Sequence, residues 1–127
     1  MPRFLSDEWF EKVRELNEAS RSIDIAPAMR DIVVNLTVST PAGEVLMCLD
    51  RGFMVKGHGP SPDVRMSMPA DYALAILVRG DWSAGMKGWV RRRIKLSGDM
   101  RKLIPLQVRS PTSDEEALRR RIEAFTE

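Results

Sequence analysis

At 127 residues, with 43% hydrophobic and 30% charged side chains, the chain has the size and make-up of one globular domain that can bury roughly two thirds of its unfolded surface. Twenty Lys and Arg against eighteen Asp and Glu leave a formal charge of +2, too weak a field to draw in a polyanion, which argues against nucleic acid as a partner. The lone cysteine, Cys48, excludes an intramolecular disulfide and a thiolate metal cluster and fits a reducing, cytoplasmic setting; the early acidic residues and the want of a long uncharged apolar run argue against export or membrane spanning.

A first helix is expected over about residues 6–20. Ser6 can cap it, Asp7 and Glu8 suit its first turn, and Trp9, Val13, Leu16 and Ser20 recur at helical spacing with Phe10 widening the stripe. Pro27 forbids that helix from running on. From Ile32 the period becomes two: Ile32, Val34, Leu36 and Val38 alternate with Asn35, Thr37 and Ser39, predicting a strand with one buried face. Thr40-Pro41-Ala42-Gly43 reads as a turn into a second strand, Glu44 to Asp50, and Phe53 to Lys56 supplies a third.

Residues 57–62, rich in Gly and Pro, form a loop, and Val64, Met66 and Met68 alternate as a fourth strand. Pro69 suits the first position of a helix carrying Ala73, Ile76 and Leu77 and stopped by Gly80. Asp81 can cap a short helix whose apolar side is Met86, Trp89 and Val90. Arg93 to Ser97 alternates as a fifth strand, and Gly98-Asp99 turns into a helix bearing Met100, Leu103 and Ile104 that Pro105 should end or kink. Ser113 and Glu116 form a capping box for a last helix, about residues 113–126, with Leu118, Ile122 and Phe125 on one stripe.

Chemistry-bearing constellations are sparse. His58, the sole histidine, rules out a His-based metal cluster and sits in the Gly/Pro loop without a nucleophile motif. Cys48 alternates away from Val45, Met47 and Leu49 and lacks the cationic surroundings of a reactive thiolate. No glycine pattern matches a phosphate-binding loop. Arg91-Arg92-Arg93, with Lys87, Lys95, Arg101 and Lys102 close in sequence, could touch phosphates or an anionic membrane surface; a solvated strand edge balanced by Asp99 explains it as well. Eight methionines are many for this length, and Met66, Met68, Met86 and Met100 concentrate where unbranched thioethers would either fill a core or line an adaptable pocket.

The order of elements from Val64 onward resembles the sterol carrier protein 2 family, the SCP-2 sterol-binding domain, in its prokaryotic single-domain form. The similarity lies in Val64-Arg65-Met66-Ser67-Met68, in Ala75-Ile76-Leu77-Val78-Arg79-Gly80-Asp81, and most specifically in Arg93-Ile94-Lys95-Leu96-Ser97-Gly98-Asp99-Met100 with Lys102-Leu103. A weaker likeness reaches back to residues 4–10. Two positions depart from the pattern: Arg92, where the family more often has Gly, and Pro105, inside a helix that usually continues.

The resemblance implies an α+β fold in one domain over 1–127: a five-stranded, largely antiparallel sheet covered by helices on one face and enclosing an apolar tunnel. It also implies non-catalytic binding and transfer of a hydrophobic small molecule, a fatty acid, fatty acyl or sterol-like lipid, without cofactor or metal. An accessory or sensor module presenting such a ligand to a partner enzyme is the second reading. Enzymatic action would have to lean on His58, Tyr72 or Arg/Asp pairs. The residues expected at the ligand are Met66, Met68, Ile76, Leu77, Met86, Trp89, Leu103 and Ile104, with Phe53 nearby, while Leu118, Ile122 and Phe125 would belong to a lid or to a permanently packed helix.

Overall fold

The computed structural model describes residues 1–108 and 111–127. Helix α1 spans Asp7–Ala19; the hydroxyl of its N-cap, Ser6, accepts the Trp9 N–H at 3.1 Å, and Trp9, Phe10, Val13 and Leu16 are its buried stripe. A single turn, α2 (Pro27–Arg30), starts on proline, where the missing N–H removes no helical bond. The alternating segments give β1 (Val33–Thr40) and β2 (Gly43–Asp50), then β3 (Phe53–Lys56) and β4 (Val64–Pro69). After β4 come α3 (Ala70–Ala73), a π-helical turn (Leu74–Val78), α4 (Ser83–Val90), β5 (Lys95–Gly98), α5 (Met100–Val108) and α6 (Ser113–Phe125).

The five strands form one sheet in the order β3-β2-β1-β4-β5. Three of its seams are antiparallel, and β1 runs parallel to β4. The register sets Leu36 between Met47 and Met66, and Met66 beside Leu96. Because side chains alternate along a strand, Val34, Leu36, Val38, Met66 and Met68 share a face. The helices pack on that face, and the core joins Trp9 and Val13 of α1 and Ile122 of α6 to Leu36, Val38, Met47 and Val64 of the sheet. Loop 57–62 shields part of the opposite face: Asn35 donates to Gly59 O at 3.0 Å and accepts from Gly59 N at 2.9 Å.

Several expectations are corrected. Pro69 closes β4, paired with Ser39, and is the N-cap of α3 where the sequence predicts its first residue. The single helix predicted up to Gly80 widens after Ala73, where the Arg79 N–H reaches five residues back to Leu74 O at 3.0 Å. Gly80 takes the left-handed stop, φ 70°. The fifth strand starts at Lys95, two residues late, because the N–H groups of Arg93 and Ile94 both go to Gly88 O, at 2.7 and 3.1 Å. Pro105 does not end α5, which continues to Val108; the acceptor it leaves is the carbonyl of exposed Arg101, which water can satisfy. The cap of α6 is Thr112, whose Oγ1 accepts from Glu115 N at 3.0 Å. Ser113 is therefore already inside the helix. Asp114 and Glu115 accept the N–H groups of Asp24 and Ala26 at 2.8 and 2.6 Å, so the first turn of α6 is tied to the segment before α2.

Arg92 has φ 60°, the left-handed region that glycine occupies without strain. The departure noted in the sequence is thus a conformational cost carried by the turn between α4 and β5. Arg92→Gly is expected to raise stability by about 1 kcal/mol, read as a higher urea midpoint at unchanged m-value.

Asp63 joins three segments. Its carboxylate accepts from Val33 N at 2.8 Å and from Lys102 Nζ at 2.9 Å, and its carbonyl accepts from Asp99 N at 2.8 Å. The Lys102 hydrogen bond, followed by that of Val33 N–H, holds this carboxyl below its ordinary value. A folded-state depression contributes stability that is present above the unfolded value of about 4 and lost as pH falls below it. Asp63→Asn is expected to cost about 1–2 kcal/mol at neutral pH. The gap from the unsubstituted protein should close in urea titrations taken progressively below pH of about 4.

Candidate functional site

Between the sheet face that carries Leu36 and the helices lies a cavity of about 540 Å³. Packed interiors leave few voids larger than a water molecule, whereas small-molecule sites commonly measure roughly 300–1,000 Å³. Its floor is the sheet: Val34 and Leu36 from β1, Leu49 from β2, Met66 and Met68 from β4, and Leu96 from β5. Ile76 and Leu77 from the π-helical turn form one wall, and Leu103, Ile104 and Leu106 of α5 form another. Trp82, Met86 and Trp89, on and just before α4, with Met100, stand at the solvent-facing side.

Eight of the sequence-predicted residues come together here: Met66, Met68, Ile76, Leu77, Met86, Trp89, Leu103 and Ile104. Leu118 and Ile122 instead border a small adjoining recess of about 80 Å³, and Met29, Leu49, Leu77, Trp82 and Pro111 edge both spaces. Phe53 lines neither. It alternates with Met54, so it falls on the sheet face of Val55 and Cys48, while Met54 turns inward to the recess. Phe125 also lies outside, its ring 5.8 Å from Lys12 Nζ. Sequence reasoning missed Val34, Leu36 and Leu96, although their alternation was visible, because only the strand order reveals that they adjoin Met66. It also missed Met29, Leu49, Trp82 and Met100 as wall residues.

The described side chains that line the cavity are hydrophobic. Among the described residues, the indole N–H groups of Trp82 and Trp89 are its only side-chain hydrogen-bonding groups. Met29, Met66, Met68, Met86 and Met100 give it five unbranched thioether side chains that adapt to an irregular guest. In the recess, Asn17 donates to Met54 O at 2.8 Å, and its Oδ1 is buried without a partner among the described residues. A guest hydroxyl or a water would satisfy that acceptor.

Helix α6 is held along its length. Arg119 donates to Val78 O at 2.6 Å and pairs with Glu116 and Glu123, at 2.5 and 3.1 Å. A side chain at Gly80, whose φ of 70° already favours glycine, would meet the Arg119 Nε at 2.8 Å and displace that guanidinium. At the far end Trp9 Nε1 donates to Thr126 Oγ1 at 2.8 Å, and Glu127 N donates to Pro2 O at 2.9 Å.

Groups able to do chemistry lie away from the cavity. The His58 Nε2 is 2.9 Å from Leu36 O, tying loop 57–62 to β1. Burial pushes the Cys48 thiol up, against a lowering hydrogen bond from Gly59 and with a further rise from Asp50. Among the described residues no three His, Cys, Asp or Glu side chains cluster as a metal site. None of the described helices is long and apolar enough to cross a membrane.

The fold is that of sterol carrier protein 2 domains. The chain is similar to the sterol carrier protein 2 like 2 of Aedes aegypti, with 24% identity over 79% of this chain and 94% of that one at a TM-score of 0.53. It is similar also to sterol carrier protein 2 of Yarrowia lipolytica in its apo form, with 11% identity, coverage of 91% and 98%, and a TM-score of 0.56. The sterol carrier protein domain 2 of Helicoverpa armigera gives 20% identity, coverage of 96% and 95%, and a TM-score of 0.53. No protein-family model matches the sequence, and no curated protein matches it.

The cavity makes a prediction about stability alone. Enlarging a side chain in a filled core costs roughly 1–3 kcal/mol. Met66→Trp, which grows into open space, should cost less than about 1 kcal/mol, whereas Val38→Phe in the packed part of the same sheet face should cost the full amount. Urea titration of the two variants separates an open cavity from a closed core.

Proposed function

We propose that this chain is a carrier: it binds a hydrophobic small molecule, a fatty acid, fatty acyl or sterol-like lipid, in the 540 Å³ cavity and delivers it without chemical change. The observation that carries this reading is the cavity's lining, which among the described residues offers a guest mainly apolar side chains and no nucleophile, acid or base to react with it. The shared fold supports it, since the similar domains are named as sterol carriers. Met66, Met68, Ile76, Leu77, Met86, Trp89, Leu103 and Ile104 are the proposed contacts, with Leu36 and Leu96 added by the structure. The free thiol of Cys48 supports a reducing, cytoplasmic setting.

Burying about 400 Å² of apolar guest surface is worth roughly 10 kcal/mol gross. The loss of translational freedom and the ordering of mobile side chains take back several kcal/mol, which leaves micromolar affinity. Such a site selects only modestly, by shape and length, because its walls hold few directional contacts.

The test is mass spectrometry of small molecules that co-purify with the folded chain, joined to titration with a fluorescent fatty acid. One class of lipid should co-purify and be displaced competitively. Trp89→Ala should weaken the fluorescent probe several-fold with the fold intact, because the side chain stands half-exposed at the cavity's edge. An unchanged affinity would remove Trp89 from the site, and a chain that stays empty and takes up no probe would overturn the carrier reading.

A further inference from the structure

Helix α4 is packed inside out. Its small residues Ala84 and Gly88 face the core, and a side chain at Gly88 would come within 2.6 Å of Ile94 Cδ1, so the helix backbone lies directly on its neighbour. The large apolar residues of the same segment point to solvent: Trp82 is 49% exposed, Met86 53%, Trp89 55% and Val90 67%. Ile104 on α5, 60% exposed, continues the patch. Met86 and Trp89 on α4, and Trp82 just before it, are thus each about half exposed, and such contiguous apolar patches mark interaction surfaces.

The charge along the segment that carries the patch has one sign once past Asp81, which accepts from Ser83 Oγ at 2.6 Å and lies near Lys87. From Trp82 to Gly98 the chain holds five basic residues, Lys87, Arg91, Arg92, Arg93 and Lys95, and no Asp or Glu. All five are exposed, and none sits in an ion pair with a described carboxylate. Asp99, expected from the sequence to balance the arginine run, pairs with Arg101 at 3.2 Å. Helix α1 has the opposite character, with five acidic residues against two basic ones, so the molecule is polarised although its net charge is small.

We propose that α4 and the turn after it, Trp82 to Arg93, dock on an anionic bilayer and set the cavity's open side against the acyl region. The reading deepens the carrier function, on which its purpose rests. Trp82, Met86 and Trp89 both edge the cavity and form the exposed patch, so the surface that meets the membrane is the surface a lipid guest would cross. Indole rings flanked by Lys and Arg are the composition of a membrane–water interface. A second copy of the chain is disfavoured as occupant, because a two-fold contact would set the five cations against their own copies.

Flotation of the full chain with vesicles tests this. The protein should co-float with phosphatidylcholine vesicles containing phosphatidylglycerol and at least about ten-fold less with phosphatidylcholine alone. Removing charge with Lys87→Gln, Arg91→Gln and Arg92→Asn should lower partition about five-fold for each residue. Val90→Ser should lower it several-fold alone. None of these residues lines the cavity, so binding of the soluble probe cis-parinaric acid should remain that of the unsubstituted chain. Should the triple variant lose its helical circular dichroism, Val90→Ser alone decides. No co-flotation, equal partition to both vesicle types, unaltered partition of the variants, or a concentration-dependent dimer broken by Val90→Ser would each overturn the proposal. Co-flotation without probe binding supports docking and overturns the carrier reading; probe binding without co-flotation does the reverse.

Discussion

The parallel pairing of β1 with β4 is the constraint on which the site depends. It carries the chain across the sheet after the β1-β2-β3 meander and sets Met66 against Leu36 and Met68 against Val38. The wall formed by Ile76 and Leu77 follows from where β4 ends, because Pro69 passes directly into α3 and the π-helical turn. Asp63 fixes the start of that strand by bonding to both backbone groups of Val33. The centre of the cavity floor is thus a register held by one aspartate and one strand pairing, to which the β1–β2 and β4–β5 pairings add Leu49 and Leu96.

Local signals in the sequence located most of the elements. Ser6 with Trp9, Val13 and Leu16 announced α1, and the alternation from Ile32 to Val38 announced β1, because capping and periodicity act within a few residues. The errors fell where tertiary contacts override local preference. Thr112 rather than Ser113 caps α6 because its hydroxyl also donates to Asp24 O at 2.7 Å. The π-helical turn had no local mark, and β5 starts late because Gly88 O takes two N–H groups. Of the candidate site, the central methionines and the apolar stripes of α3 to α5 were legible. Phe53 was misplaced by the parity of one strand. Leu36 and Leu96 could not be joined to Met66 until the strand order was known.

The same limit explains α4. Apolar spacing at Met86, Trp89 and Val90 predicts a helix face buried in the core, yet Gly88 and Ala84 take that side. Periodicity shows that a helix has two unlike faces and leaves open which one meets protein. Here the smaller face wins because Ile94 and Tyr72 lie within contact distance of the Gly88 backbone, leaving no room for an indole. The larger face is then left for another environment, and Met86 and Trp89 serve the cavity's edge from it.

An apolar cavity is a cost in stability beside a packed core, since its walls forgo contacts that a packed core would make. The fold offsets that cost at its borders: α6 is tied to Val78, to Asp24 and Ala26, and to the N-terminal segment, while α1 contributes the fully buried Trp9 and Val13. Rigid closure on the α1 and α6 side leaves α4 and α5 as the side with the least cover, where the exposed apolar residues lie. A guest that gains its affinity from apolar contact alone has no polar anchor to break on leaving, so its exchange is governed by what meets that side. In water, every step outward exposes acyl surface at roughly 25 cal/mol per Å². Against the bilayer proposed to meet that side the penalty would vanish, and the binding energy that retains a guest in solution would pose little barrier to its release.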